Sequence, residues 1–311
     1  MTATADSLQG RKILVVGGSG FIGSRLVARL ADLGARVGTL SRSAGRLQGF
    51  VPVERYQFFE GDVTSAEQSR RAVLTFSPEI VFYLAAHPDG AESVEQAQRC
   101  TQVNVLGLLH VLQAAVQAGS KLAVIGDSSK IYGNRPVPYR DDTEPDPRSS
   151  YAISKVAAWE HAKLYSRLHH LAVTSVRPTL IYGPGQGHNL ISAVAASARS
   201  DREIRLAGGR QTRAPLYIDD AIDAFVRIAQ VGPSLNGAVI NLGGPEEHSV
   251  LEIARLTVEA AGRAVEVTED ASQLRATETN RSACDNRAAR ELLSWEPRTG
   301  LLDGLRKTLA G

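Results

Sequence analysis

The sequence predicts an α/β protein built on a doubly wound parallel sheet, followed by a smaller C-terminal lobe. Apolar runs of strand length alternate with amphipathic helical patterns through the first half of the chain. A glycine triplet separates the first run from the first helical pattern, and polar residues follow the ends of later runs. Such regular alternation is typical of a parallel sheet with right-handed crossovers.

The composition is that of an ordinary globular protein of 311 residues, with 43% hydrophobic and 22% charged residues. A net charge of +2 gives no reason to expect nucleic acid or an anionic membrane as a partner. Two cysteines, Cys100 and Cys284, are too few for a disulfide framework and lie outside any metal-like cluster. Residues 1–10 lack a signal-peptide pattern, and no apolar run reaches membrane-spanning length, so the sequence predicts a cytoplasmic protein. No metal site is expected.

The first glycines indicate a dinucleotide site. A strand is predicted over residues 13–16, and three glycines follow it at three-residue spacing: Gly17, Gly20 and Gly23. They lead into a predicted helix that would end at Gly34. A pyrophosphate approaches backbone closely only where no Cβ intervenes, and a helix N-terminus offers it free N–H groups. A tight turn without a ligand is the alternative, but the strand–turn–helix context favours dinucleotide binding.

The remaining elements follow in order. Further strands are expected over residues 37–40, 56–60, 79–84, 122–125, 171–177 and 239–242, and helices over 65–77, 91–118, 149–169, 221–231, 250–261, 286–293 and 301–310. Residues 183–212 are rich in glycine and lack clean periodicity, which suits an excursion into the smaller lobe.

The end of the second strand bears on the choice of cofactor. An NAD-binding unit usually has an acidic residue here, bonded to the adenine ribose. This chain has Ser41, Arg42 and Ser43 instead. A guanidinium can bind a 2′-phosphate bidentately and the serines can donate to it, which favours NADP(H). The alternative is that Arg42 is an ordinary solvated charge and that NAD(H) is used.

The ends of the other predicted strands supply further candidate residues for the cofactor site. Asp62 could accept from the adenine amino group while Val63 packs on the ring, although Asp62 or Thr64 could instead cap the next helix. Ala85 and Ala86 follow the fourth strand, where small residues admit a ligand, and His87 is predicted to be a polar wall residue. Asn104 inside a helical pattern indicates a specific hydrogen bond.

Tyr151 and Lys155 are the candidate catalytic pair. Four residues separate them, so they share a helix face. A lysine cation stabilises a phenolate and brings the tyrosine pKa toward the working range. Ser128, at the end of the fifth strand, could hydrogen-bond a substrate carbonyl or hydroxyl. A surface helix pair is the alternative, but the glycine turn and the Ser128–Ser129 strand end favour catalysis.

These motifs together resemble the extended short-chain dehydrogenase/reductase family, also called the NAD-dependent epimerase/dehydratase family. The resemblance covers nearly the whole chain and rests on the following stretches: Gly17/Gly20/Gly23 with Phe21-Ile22, Asp62-Val63, Leu84-Ala85-Ala86, Asn104-Val105-x-Gly107, Ser128 before Tyr132-Gly133, Tyr151-x-x-x-Lys155, Arg177-Pro178, Tyr182-Gly183-Pro184-Gly185, Arg213-x-x-Leu216-Tyr217-Ile218-Asp219-Asp220 and Trp295-x-Pro297.

The resemblance implies a Rossmann domain over 1–178, to which 213–242 return, and a substrate-binding lobe from 179–212 and 243–311. It implies Tyr151 as acid/base, Lys155 as its partner and Ser128 as the group that orients the substrate oxygen. Family members mostly act on nucleotide-diphosphate sugars, and many dimerise through the helices at 91–118 and 149–169. It adds Phe21, Ile22, Leu84 and Pro178 to the cofactor site, and His87, Ser129, Lys130, Asn189, Arg213 and Arg275 to the substrate site.

Departures from the family narrow the reaction. Many nucleotide-sugar members have Asn at the position of Leu180, so Leu180 is a departure that favours a non-sugar ketone. Dehydratases often have Asp-Glu where this chain has Ser129-Lys130, and this second departure disfavours a dehydratase. With no acid after the second strand, we expect an NADPH-dependent reductase of a nucleotide-linked 4-keto-6-deoxy sugar. A nucleotide-sugar 4-epimerase or 4,6-dehydratase using NAD, a reductase of a non-sugar ketone and a non-catalytic NAD(P)-binding module are the alternatives.

Overall fold

The computed structural model describes residues 7–88, 90–187 and 189–310. Its strands are β1 (Lys12–Val16), β2 (Arg36–Ser41), β3 (Tyr56–Glu60), β4 (Ile80–Tyr83), β5 (Leu122–Gly126), β6 (Ala172–Pro178), β7 (Ile181–Tyr182), β8 (Ile204–Ala207), β9 (Thr212–Arg213), β10 (Leu216–Tyr217), β11 (Val239–Leu242), β12 (His248–Ser249), β13 (Val267–Asp270) and β14 (Arg281–Ser282).

Ten α-helices accompany these strands in the described ranges. They are α1 (Phe21–Asp32), α2 (Ala66–Phe76), α3 (Val94–Cys100), α4 (Gly107–Gln117), α5 (Ser150–His169), α6 (Leu190–Arg199), α7 (Ile218–Val231), α8 (Val250–Ala260), α9 (Arg287–Leu293) and α10 (Leu301–Ala310). A π-helical turn, Thr101–Leu106, joins α3 to α4. Among these helices, none is long and apolar enough to cross a membrane.

Seven parallel strands form the main sheet in the order β11-β6-β5-β4-β1-β2-β3, which confirms the doubly wound fold class. Residues 13–16 of β1 are fully buried, as expected for a strand covered on both faces. The strand order reverses between β1 and β4. In open parallel sheets a crevice forms at this point, outside the carboxyl ends of the strands.

Helices cover both faces of this sheet with separate apolar cores. On one face, α1 and α7 pack together through residues such as Leu26, Leu30 and Phe225. On the other face, α2, α4 and α5 bury Leu112 and Trp159 among their apolar side chains. Burial of apolar surface stabilises by about 25 cal/mol per Å², so the two cores hold the sheet, and with it the strand ends, in place.

Two local features of the structure were not predicted. The helix expected over 91–118 is divided into α3, the π-helical turn and α4. The segment 183–212, whose sequence lacks clean periodicity, contains α6 and β8. Asn189 and Ser192 form a capping box at the start of α6. Its alanine-rich sequence gives a weak apolar pattern, and packing against α8 stabilises the helix.

The second lobe is built around α6, α8 and two small sheets. The first has the strand order β12-β9-β14 and the second pairs β13 with β8. Beside these elements β7 pairs with β10, and we call this strand pair the neck. There Thr179 Oγ1 donates to Ala214 O at 2.5 Å, and Leu216 N donates to Leu180 O at 2.8 Å.

Candidate active site

The glycine turn after β1 is shaped by close backbone approach. Gly17 has φ +85°, and a Cβ there would lie 2.6 Å from Ala85 N. A Cβ at Gly23 would lie 2.3 Å from Gly17 O. A Cβ at Gly20 would meet Gly17 O at 3.2 Å and no other described atom within 4 Å, its immediate neighbours aside. Gly17 and Gly23 are therefore required by the fold, whereas Gly20 leaves a free surface above the turn.

The first helix presents its N-terminus to this free surface. Gly20 is the N-cap of α1, and the first turn contains no acidic residue and has no side-chain cap. The N–H groups of a helix start need partners, and an anion can supply them. The turn and the helix end therefore fit the pyrophosphate of a dinucleotide, as the sequence predicts.

A cleft of about 820 Å³ extends from this turn along the carboxyl ends of the strands. The predicted site residues that line it are Gly17, Gly20, Ser41, Arg42, Asp62, Val63, Leu84, Ala85, Ala86 and His87. The predicted site residues outside its lining are Phe21, Ile22, Gly23, Ser43, Asn104, Ser128, Ser129, Lys130, Tyr151, Lys155, Pro178, Asn189, Arg213 and Arg275. Residues that the sequence did not single out, Arg99 and Gln102 among them, complete the wall.

The end of β2 carries no acidic side chain. Ser41 Oγ accepts from Ser19 N at 3.1 Å, so this hydroxyl ties β2 to the glycine turn. Arg42 is exposed and lines both the main cleft and a second cleft of about 390 Å³, which it shares with Glu60, Gln68 and Arg71. Arg42 therefore contributes to the walls of both clefts.

Asp62 has a local role in the turn before α2. Its Oδ1 accepts from Thr64 N and from Thr64 Oγ1, both at 2.9 Å. The N-cap of α2 is Ser65, one residue after Thr64 and three after Asp62, so neither residue named in the sequence alternative is the cap. Contact between Asp62 and an adenine stays a prediction.

Lys155 is a buried cation beside Tyr151 on α5. Only 4% of its surface is exposed, and Nζ donates to Gly126 O at 2.5 Å. Nζ also lies 5.5 Å from the centroid of the Tyr151 ring, which is half-buried. Burial lowers the pKa of Lys155 to about 8, and the nearby Asp127 carboxylate opposes this shift. The amine of Lys155 therefore titrates close to neutral pH.

Ser128 lies two residues beyond Gly126, at the same strand end. It begins the helical turn Ser129–Tyr132, and its Oγ accepts from Lys130 N at 3.2 Å. The end of β5 thus brings Ser128 to the backbone carbonyl that holds Lys155. This supports a common site for Ser128, Lys155 and Tyr151, whose catalytic roles stay predictions.

A buried polar network behind Ser128 was not assigned from the sequence. Asp127 Oδ2 accepts from Arg177 Nε at 2.8 Å, and Arg177 donates to Tyr132 Oη at 2.9 Å. Tyr132 Oη donates to Asn241 Oδ1 at 2.9 Å, which ties β11 to the loop after β5. A polar side chain directly after an apolar strand was the available signal, and it marked Asp127 as well as Ser128.

Asn104 in the π-helical turn makes the specific hydrogen bonds that its position indicated. Its Oδ1 accepts from His87 N at 2.8 Å, and Nδ2 donates to His87 O at 3.2 Å and to Ser154 Oγ at 2.9 Å. His87 Nε2 lies 2.9 Å from Gln96 Oε1. Asn104 therefore couples the cleft wall to α5, and its amide is fully engaged within the protein.

The candidate substrate residues are distributed over the second lobe and the β5 loop. Arg213 pairs with Glu278, and burial lowers its pKa. Asn189 caps α6 and donates to Ile181 O at 3.1 Å. Ser129 is buried with its Oγ 3.4 Å from Ser282 Oγ. Lys130 and Arg275 are exposed. Contact of these five residues with a substrate stays a prediction.

This combination of a reversed parallel sheet, a glycine turn and a cleft at the strand ends defines a dinucleotide-binding α/β protein of the Rossmann type. The model of the NAD dependent epimerase/dehydratase family matches residues 13–243. The chain therefore belongs to this enzyme family, and the resemblance found in the sequence motifs is confirmed.

Known relatives cover nearly the full chain. The UDP-glucose 4-epimerase of Mycolicibacterium smegmatis is 32% identical over 96% of this chain and 97% of its own length. The dTDP-4-dehydro-6-deoxy-D-allose reductase of Streptomyces bikiniensis is 30% identical, and the match covers 84% of both. The structure of a Thermus thermophilus UDP-glucose 4-epimerase complexed with NAD has a TM-score of 0.85 and 29% identity, covering 96% of this chain and 98% of that one.

Proposed function

We propose that this protein is an NADPH-dependent ketoreductase of a nucleotide-diphosphate-linked 4-keto-6-deoxy sugar. The observation that carries the cofactor choice is the end of β2, where Ser41 and the exposed Arg42 line the cleft in place of an acid. A carboxylate there would repel a 2′-phosphate, and a guanidinium attracts it. The relative named as a dTDP-4-dehydro-6-deoxy-D-allose reductase supports the substrate class.

The glycine turn, Asp62, Val63 and the Ala85–Ala86 wall would hold the dinucleotide, and Lys155 would bind its nicotinamide ribose. The cofactor supplies the hydride that the ketone carbon gains. Tyr151 donates its phenolic proton to the ketone oxygen as negative charge develops there, and Ser128 donates a hydrogen bond to the same oxygen. The charged Lys155 stabilises the resulting phenolate until solvent returns the proton. The product is the secondary alcohol.

A nucleotide-sugar 4-epimerase that retains NAD is the second candidate. The Mycolicibacterium relative and the Thermus structure with NAD favour it. The same residues would serve, with Tyr151 acting first as base and then as acid. Epimerisation leaves no net change in cofactor oxidation state, so the two reactions differ in a measurable quantity.

The decisive experiment tests turnover and cofactor together. The purified protein is mixed with dTDP-4-dehydro-6-deoxyglucose and NADPH or NADH, and absorbance at the reduced-nicotinamide band is followed; UDP-glucose is tested in parallel for conversion to UDP-galactose. We expect net NADPH oxidation, lost in Tyr151→Phe and kept in Tyr165→Phe on the same helix. Tightly held NAD with UDP-sugar interconversion would establish the epimerase instead.

Arg42→Ala should raise the Kd for NADPH roughly tenfold or more, because one charge-assisted pair is lost, and leave the Kd for NADH nearly unchanged. Fluorescence titration of the reduced cofactors measures both constants. Arg36→Ala, an exposed arginine at the other end of β2, is the matched control. Equal effects of Arg42→Ala on both cofactors would remove the support for NADP(H).

Three further expectations accompany this function. We keep the division into a Rossmann domain (1–178 with 213–242) and a substrate lobe (179–212 and 243–311) as a proposal; residues 1–6 and 311 lie outside the described part. We propose a homodimer through the α3–α4 and α5 helices. The cytoplasmic location likewise stays a prediction.

A further inference from the structure

Asp127 is a buried carboxylate with an unusually complete set of partners. The residue is 5% exposed, and its oxygens accept from Ser128 N at 2.7 Å, Ser175 Oγ at 2.8 Å and Arg177 Nε at 2.8 Å. Burial of a carboxylate is costly unless it is paired and hydrogen-bonded. The partners come from β6 and from the next residue, so the carboxylate fixes the end of β5 against its neighbour.

Its position in the chain places this carboxylate between two parts of the catalytic set. Gly126, directly before it, accepts the Lys155 Nζ hydrogen bond of 2.5 Å. Ser128, directly after it, carries the hydroxyl aimed at the substrate oxygen in the proposed reaction. A shift in the backbone at residue 127 therefore displaces both groups together.

The electrostatic surroundings of Lys155 point to the same residue. Asp127 faces it from the end of β5, Cys100 from α3 and the Tyr151 ring from its own helix. Of the two side chains that favour the charged amine, Asp127 has the larger effect. Arg177 pairs with Asp127 and partly offsets its charge.

We propose that Asp127 is a positioning residue, whose buried carboxylate fixes the Gly126–Ser128 backbone and acts electrostatically on the neighbouring Lys155 amine. The inference rests on the proposed roles of Ser128 and Lys155. Asp127 itself contacts neither substrate nor cofactor in this scheme. Its effect on catalysis passes through the hydroxyl on one side and the amine on the other.

Asp127→Asn preserves the shape of the side chain and removes its charge. The direct readout is the titration of Lys155, followed by NMR of protein labelled with ¹³Cε-lysine, in which six lysines give signals and Lys155→Arg assigns the relevant one. We expect its midpoint to move to lower pH than in the parent. In turnover of dTDP-4-dehydro-6-deoxyglucose we expect kcat to fall roughly 10- to 100-fold, while KM and the Kd for NADPH change by less than about threefold.

Ser175→Ala is the matched control, since it removes one hydrogen bond to the same carboxylate and leaves the charge. It should lower thermal stability without moving the Lys155 midpoint. If Asp127→Asn fails to fold with Arg177 left unpaired, Asp127→Asn/Arg177→Met removes both charges and should still lower the midpoint.

An unchanged midpoint in the folded variant, or equal shifts in Asp127→Asn and Ser175→Ala, would overturn the proposal. The NMR titration uses no substrate, so it gives its answer even if the ketoreductase assignment fails. A lowered midpoint without measurable turnover on any nucleotide sugar would therefore count against the proposed function and not against Asp127.

Discussion

At the scale of single residues, the candidate site carries a stability cost at Lys155, the residue that the proposed chemistry requires. Lys155 is buried with one backbone hydrogen bond, and burial lowers its pKa to about 8 from an ordinary value near 10.4. The unfolded chain therefore binds the proton of the Lys155 amine more tightly than the folded chain does. The charged amine opposes folding below pH 8, and the cost falls as the pH rises from about 8 to beyond 10.

Lys155→Met should therefore stabilise the protein while removing its activity. We expect the free energy of unfolding at pH 7 to rise by roughly 1–3 kcal/mol, with the gain shrinking toward pH 10. Urea unfolding at both pH values measures the difference. Lys163→Met, a half-exposed lysine on the same helix paired with Glu160, should show no such pH-dependent gain. A Met variant less stable than the parent at pH 7 would contradict this account.

Sequence reasoning located the residues of this site more readily than their partners. Spacing alone could predict that Tyr151 and Lys155 share a face, because the helix period fixes it. It could not predict that Arg213 pairs with Glu278, or that Asp127 pairs with Arg177, since each pair joins distant segments. Such contacts depend on how the second lobe and β6 fold back onto the β5 loop.

At the scale of elements, the three glycines of the turn have different functions. Gly23 is packed against the turn itself, whereas Gly20 faces the cleft. The sequence pattern treats them alike, as a fingerprint for pyrophosphate. The structure separates a folding requirement from a binding requirement within one loop.

Gly20→Ala and Gly23→Ala should differ in their effect on the free energy of unfolding, but both should weaken NADPH binding. A Cβ at Gly20 meets only Gly17 O, at 3.2 Å, and needs a shift of a few tenths of an ångström, so the unfolding free energy should fall by at most about 1 kcal/mol. NADPH affinity should nevertheless fall roughly tenfold or more, because the added Cβ meets the pyrophosphate. Gly23→Ala should cost about 1–3 kcal/mol through overpacking and also weaken binding. Thermal unfolding and cofactor titration separate the two, and unaltered binding in Gly20→Ala would place the pyrophosphate elsewhere.

Elements were predictable where periodicity was strong. The strands at 56–60 and 239–242 and the helix at 301–310 have the predicted bounds. The π-helical turn at Thr101–Leu106 was not predictable, because six residues are too few to distinguish a π-helical period from an α-helical one. Helix α6 was missed although its alanines and the capping box of Asn189 and Ser192 favour a helix, because these signals directly follow a glycine-rich stretch.

At the scale of the whole molecule, α5 carries an apolar stripe that faces solvent in the single chain. Ile153, Leu164 and Leu168 are 57%, 41% and 62% exposed and share one helix face. Val94 and Leu106 on the adjoining helical segment are also exposed. Contiguous exposed apolar residues favour an interface, which agrees with the proposed homodimer.

Ile153→Glu/Leu168→Glu should convert a dimer into monomers, because two buried charges per chain would oppose association. Light scattering should give twice the 33.3 kDa of one chain for the parent and a single chain for the variant. Leu274→Glu, an exposed leucine of the second lobe, is the control and should remain dimeric. A monomeric parent protein would contradict the proposal.

The neck between β7 and β10 has a consequence for protein engineering. The chain leaves the main sheet after β6 and returns through β10 and α7 to add β11 beside β6. The stretch between the two neck strands is thus an insertion whose ends are already joined. In the proposed division, substrate specificity could be transferred by exchanging that insertion together with the residues beyond β11. Cutting the chain after β6 would instead remove β11 from the edge of the sheet and leave β6 as a bare edge open to aggregation.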